Sequence, residues 1–77
     1  MKTIWTFNKM NYDANYFTYE LFESKEDAIS LMNRTKDAML KAYDLELYYG
    51  NDYRIDLCSK DKEEIIVSMW VKEDVIH

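Results

Sequence analysis

Proline is absent, and glycine, cysteine and histidine occur once each in 77 residues. Each scarcity excludes something. A chain without proline and almost without glycine is not a flexible linker, a disordered tail or a low-complexity repeat. One glycine cannot build a glycine-rich phosphate loop. One cysteine cannot form an intrachain disulfide, and one cysteine with one histidine cannot make a zinc cluster. No apolar run approaches the ~18 residues of a membrane span, and no secretory signal pattern opens the chain. The expectation is a soluble, cytoplasmic protein in a reducing compartment.

Basic charge is also short in one half of the chain. The formal net charge is −5. Residues 1–43 carry six basic and six acidic side chains, whereas residues 44–77 carry four basic and nine acidic ones. The acidic surplus therefore belongs to the second half. Nucleic-acid binding needs a basic face, so direct binding to nucleic acid is disfavoured. Docking on an anionic membrane is disfavoured for the same reason.

The length fits one domain over 1–77. Such a short chain buries little more than ~60% of its unfolded surface. The aromatic content of 16% offsets this, because each ring contributes much buried area. Self-association is another way to cover apolar surface.

The local signals agree best from Ser24 to Tyr43. Ser24 is a good N-cap, Asp27 three residues on completes a weak capping box, and Glu26 and Asp27 suit the positive end of the helix dipole. At ~100° per residue, Ala28, Leu31, Met32, Thr35, Ala38, Met39, Ala42 and Tyr43 share one face. Ser30, Asn33, Arg34, Asp37, Lys41 and Asp44 share the other. Glu46 would interrupt the apolar stripe, so the helix ends near Asp44. Asn33-Arg34-Thr35 matches a glycosylation sequon, but it lies inside this helix and is read as chance.

Strands flank the helix. Lys2 to Asn8 is rich in β-branched and aromatic residues, and Lys9 to Asn15 is an Asn- and Asp-rich connector. In Tyr16 to Phe22, Phe17, Tyr19 and Leu21 share one face and Thr18 and Glu20 the other; a hairpin with the first strand follows. Leu45 to Tyr49 alternates Leu45, Leu47 and Tyr49 against Glu46 and Tyr48. That suits a short strand, with a helical extension ending at Gly50 as the alternative. Gly50-Asn51-Asp52 marks a turn. Tyr53 to Cys58 puts Tyr53, Ile55 and Leu57 opposite Arg54, Asp56 and Cys58. Glu64 to Lys72 is apolar on both faces and reads as a central strand. Glu73 to His77 reads as a polar tail. The order is β-β-α-β-β with one extra short strand in question. The fold class is α+β, a mostly antiparallel four- or five-stranded sheet with one amphipathic helix on one face.

No constellation of catalytic residues stands out. A nucleophile, a base and an orienting group must converge. The only thiol, Cys58, and the only imidazole, His77, would have to meet at a chain terminus, where residues are seldom fixed. Cys58 reads as an ordinary strand residue. Glu63-Glu64 and Glu73-Asp74 fall at strand ends, where solvated charge is the default. Asp52 and Asp56 lack the spacing of an EF-hand loop. Asp56 and Glu20 read as marks of a solvated sheet face. The expectation is no enzyme activity, no cofactor and no metal.

The tyrosines and tryptophans are more than a small core can hide. Base-stacking platforms use such rings on basic surfaces, and this charge is wrong for one. Tyrosine and tryptophan are also enriched at protein interfaces. The candidate partner-binding residues are Asp44, Glu46, Tyr48, Tyr49, Asp52, Asp61, Glu63 and Glu64. They suggest a protein partner with a basic surface.

In general make-up the whole chain resembles the small early proteins of bacteriophages: short, acidic, aromatic-rich, proline-poor and free of catalytic motifs. The resemblance rests on no single motif and transfers no residue role. It implies an inhibitor of a host defence, for example of a CRISPR effector, a restriction enzyme or a toxin, acting in the host cytoplasm. If the basic surface of the target normally holds nucleic acid, binding would be competitive. The alternative is a self-associating structural or regulatory domain without an inhibitory role.

Overall fold

A computed structural model describes residues 2–61 and 64–76, with Ile76 described by its backbone alone. The elements are β1 (Lys2–Asn11), β2 (Tyr16–Phe22), α1 (Lys25–Ala42), β3 (Leu45–Gly50), β4 (Arg54–Ser59) and β5 (Ile65–Ile76). The strands form one antiparallel sheet in the order β2-β1-β5-β4-β3, and α1 covers one face. This is the expected α+β architecture with five strands. Residues 45–50 are strand rather than helical extension.

The helix starts where its cap chemistry places it. Ser24 is the N-cap in extended backbone, and its Oγ accepts from the Asp27 amide at 3.3 Å. Tyr43 returns to extended backbone at the other end while its amide still donates to the Met39 carbonyl at 3.0 Å. The buried stripe is centred on Ala28 and Met32, with Ile29, Leu31, Met39 and Leu40 half-buried beside it. Ala38, Ala42 and Tyr43, expected on the apolar face, are exposed. Tyr43 lines a cleft open to solvent beside the C-terminal half of α1, so the stripe is not sealed there.

Under the helix lie Phe7, Leu45, Ile55, Leu57, Val67, Met69 and Val71, which join Ala28 and Met32 in one core. β5 is the middle strand of the sheet, which accounts for its apolar residues on both faces. Two strands run further than the sequence suggests. β1 continues through Lys9, Met10 and Asn11, because each has a partner on both sides: Thr18, Phe17 and Tyr16 on β2, and Met69, Ser68 and Val67 on β5. The expected polar tail is strand as far as Ile76, because Glu73 to Ile76 pair with Lys2 to Trp5. Backbone ladders satisfy N–H and C=O groups whatever the side chains are. These long strands stretch the molecule to 46 Å along its main axis.

The turns are set by asparagine. Asn11 Oδ1 accepts from the Ala14 amide at 3.1 Å, and Asn15 closes the β1–β2 hairpin at φ 52°. That left-handed region is one that asparagine tolerates better than most residues. Between β3 and β4, Asn51 Oδ1 accepts from both the Tyr53 and Arg54 amides at 2.8 Å.

Candidate protein-interaction surface

The sheet face away from α1 is open, and its register determines what it displays. Phe17, Tyr19 and Leu21 of β2 lie opposite Met10, Asn8 and Thr6 of β1, and these lie opposite Ser68, Trp70 and Lys72 of β5. The apolar side of β2 therefore turns away from the helix. Phe17, Tyr19 and Leu21 are exposed at 48%, 62% and 58%. Phe17 packs at 6.0 Å from Trp70 and 6.3 Å from Tyr19, ring centre to ring centre. On the far side of Trp70 the Arg54 guanidinium stacks at 5.7 Å.

The same arginine joins a buried polar cluster. Asp56 was expected to be solvated, but it is only 7% exposed. Its Oδ1 accepts from Ser68 Oγ at 2.6 Å, and Arg54 reaches both carboxylate oxygens at 3.2 Å. The Arg54 guanidinium pairs with it, and its hydrogen bonds make that burial tolerable.

β3 forms the opposite edge of the sheet and carries the predicted acidic and tyrosine residues. Glu46 lies opposite Cys58, and a bulge falls between Leu47 and Tyr49. The bulge breaks the expected alternation, so Tyr49 moves to the Glu46 face and lies opposite Asp56. Tyr48 and Tyr49 are exposed at 61% and 48%. Asp44 and Glu46 lie at one end of this edge, and Asp61 and Glu64 lie at the same end of the sheet. Leu45 pairs with Ser59, Lys60 donates its amide to the Asp44 carbonyl at 3.4 Å and its Nζ stands 3.5 Å from the Asp44 carboxylate, and the Ser59 amide bonds the Glu64 carbonyl at 3.0 Å. Asp52 stands apart, beyond the other end of β3. Six strand residues at ~3.3 Å each place it roughly 20 Å away. Glu63 lies outside the described residues, as does His77. Cys58 is buried, and its thiol points to Glu46 Oε1 at 3.9 Å.

Near Asp52, Lys25 at the start of α1 lies between two rings, 5.8 Å from Trp5 and 5.4 Å from Tyr53. Its Nζ donates to Tyr53 Oη at 3.1 Å, and that hydrogen bond raises the lysine pKa above its ordinary value. The Lys2 ammonium beside Glu23 at 2.6 Å lowers that carboxyl, and Glu26 is lowered by its own backbone amide and by Ser24 Oγ at 3.1 Å.

A cleft of about 470 Å³ opens beside the C-terminal half of α1, its walls mixing Met39, Leu45 and Val67 with Lys9 and Asp13. Among the described residues no group of His, Cys, Asp and Glu is arranged to hold a metal, and no helix is long and apolar enough to cross a membrane. The sequence shows the apolar row on β2 but not that it turns away from the helix, and it gives no sign of the bulge at Tyr48. Alternation gives the period of a strand without saying which side the helix covers. Comparison with protein-family models, curated proteins and solved structures returns no match to this chain.

Proposed function

We propose that the chain is a non-enzymatic protein-binding module that docks its β3 edge on a basic surface of a partner protein. The observation that carries this reading is Tyr48 and Tyr49, both exposed on the edge strand that carries Glu46, with the exposed Asp44, Asp61 and Glu64 at one end of the same sheet. Tyrosine supplies contact area at low entropy cost, and the carboxylates steer approach and select against acidic partners. The bulge twists this edge away from regular strand addition, so recognition there proceeds through side chains. A basic surface of this kind is what a nucleic-acid-binding protein offers. The biological reading is inhibition of a host defence protein, such as a CRISPR effector, by competition with its nucleic acid.

The test begins with affinity purification from the native host and identification of the co-eluting protein. Nucleic acid titrated into the purified complex should then displace the chain. A stable ternary complex would contradict competitive docking. A second reading, a self-associating domain without inhibitory role, is favoured by a different observation, the exposed apolar row of β2.

A further inference from the structure

The two edges of the sheet are built differently. β3 is interrupted by a bulge and carries Glu46. β2 pairs all seven of its residues with β1 without interruption, contains no proline, and has Glu20 as its only charge. Bulges, charges and prolines are how proteins protect an edge against pairing with another chain. β3 has such protection, and β2 is nearly without it.

We infer that β2 pairs with β2 of a second copy, antiparallel and about a two-fold axis at Tyr19. Tyr19 is the centre of the seven-residue strand, so this register uses its full length. Tyr19 then faces Tyr19, Phe17 faces Leu21 of the second copy, and Thr18 faces Glu20 of the second copy. A two-fold axis normal to the sheet keeps both helices on one side and both apolar rows on the other. The exposed row of one copy continues into the row of the next, backed by Trp70 through Phe17. The register that opposes Glu20 to itself keeps Tyr19 facing Leu21 but sets Phe17 against Glu23 and like charges against each other.

Charge argues for the same occupant. A chain of net charge −5 meets itself best where it is least charged. β2 and β3 are four strand spacings apart, and β2 pairing sends the two acidic edges to opposite ends of the joined sheet. At ~4.8 Å per strand they would be separated by roughly 43 Å, several times the ~8 Å Debye length at physiological salt. Pairing through β3 would instead bring the carboxylates together.

Area sets the strength. Tyr16, Phe17, Tyr19 and Leu21 leave about half of their surfaces uncovered. With ~150–250 Å² per aromatic side chain, that is at most roughly 400–500 Å² on each copy, of which strand pairing covers the part that flanks the seam. A standard stable interface has ~800 Å² per partner. The backbone ladder adds to the contact, and the result is a reversible dimer that dissociates on dilution. It does not depend on what the β3 edge binds, and it would make the dimer bivalent with its two β3 edges facing outward.

Sedimentation equilibrium over a wide concentration range tests this, with circular dichroism confirming the fold of each variant. The parent should rise from 9.4 kDa to twice that mass with concentration. Tyr19→Lys, which sets two ammonium groups against each other at the axis, should stay at 9.4 kDa. Thr18→Glu should do the same: it gains Lys9 opposite it within the chain but meets Glu20 of the second copy. Tyr48→Lys should dimerise like the parent. A parent that stays monomeric at every concentration overturns the proposal, as does a Tyr19→Lys variant that dimerises normally. A dimer lost in Tyr19→Lys but kept in Thr18→Glu overturns the Tyr19-centred register.

Discussion

Met32→Ala probes how the helix holds the sheet. Met32 is 1% exposed and belongs to the core with Phe7, Leu57, Val67 and Met69. Truncating a buried methionine costs about 2–5 kcal/mol through lost transfer energy and the cavity left behind. The same core holds Met69, whose unbranched side chain can adapt to part of the space, so the lower half of that range applies, about 2–3 kcal/mol. A domain of this size has a total stability of roughly 4–12 kcal/mol. One truncation therefore removes a large share. At ~4–8 °C per kcal/mol for small domains, Tm should fall by about 10–20 °C. Thermal unfolding followed by circular dichroism measures this directly. Arg34→Ala, on the exposed side of α1, is the control and should stay within ~0.5 kcal/mol of the parent. An unchanged Tm for Met32→Ala would mean that α1 does not cover the sheet through this face, and the packing account would be wrong.

Met39→Asp should also destabilise, but less than Met32→Asp, because Met39 is only half-buried at the cleft and a carboxylate there can reach water. Asp56→Ala should cost about 2 kcal/mol in chemical denaturation, since it removes a charge-assisted hydrogen bond and leaves Ser68 Oγ buried without its acceptor; an unaffected midpoint would show that the cluster is not structural. Glu23 and Glu26 are lowered in the fold, so they add stability above the ordinary value of 4.5 and lose it as pH falls through their folded values. Lys25 is raised, so its contribution is complete below 10.5 and lost as pH rises through the folded value. Tm measured against pH should show both edges, and Lys2→Met should remove the Glu23 part of the acid-side loss while leaving the alkaline side as it was.

Much of the fold is legible in local signals. Ser24 and the three-to-four spacing of Ala28, Leu31, Met32 and Met39 mark α1, and the two-sided apolar run from Ile65 to Val71 marks the central strand. What local signals cannot carry is pairing. Lys9 and Asn11 look like connector residues and Glu73 to Val75 look like a tail, yet each has a partner far along the chain. The orientation of Phe17, Tyr19 and Leu21 depends on which side the helix covers, and that is decided by β1 and β5. Asp56 reads as a surface charge because Ser68, whose hydroxyl donates to it, reaches it only in the folded sheet. Of the candidate interaction residues, local signals place Asp44 and Asp52 at opposite ends of β3, but they do not reveal that Asp61 and Glu64 come to the Asp44 end, which depends on strand pairing and the Lys60–Asp44 and Ser59–Glu64 backbone bonds.

The most direct measurement is the association rate with the co-purified partner at low and high salt, for the parent and for a variant with Asp44, Glu46 and Glu64 reversed to lysine. These residues are exposed, and the Asp44–Lys60 pair that is lost is a surface ion pair worth about 0–1 kcal/mol, so the fold survives. Docking of the acidic β3 edge on a basic surface requires fast parent association that slows as the Debye length shrinks from ~8 Å toward ~3 Å. The reversed variant should associate slowly at low salt and lose most of the salt dependence. A salt-independent parent, with an equal on-rate for the reversed variant, would contradict docking through the β3 edge.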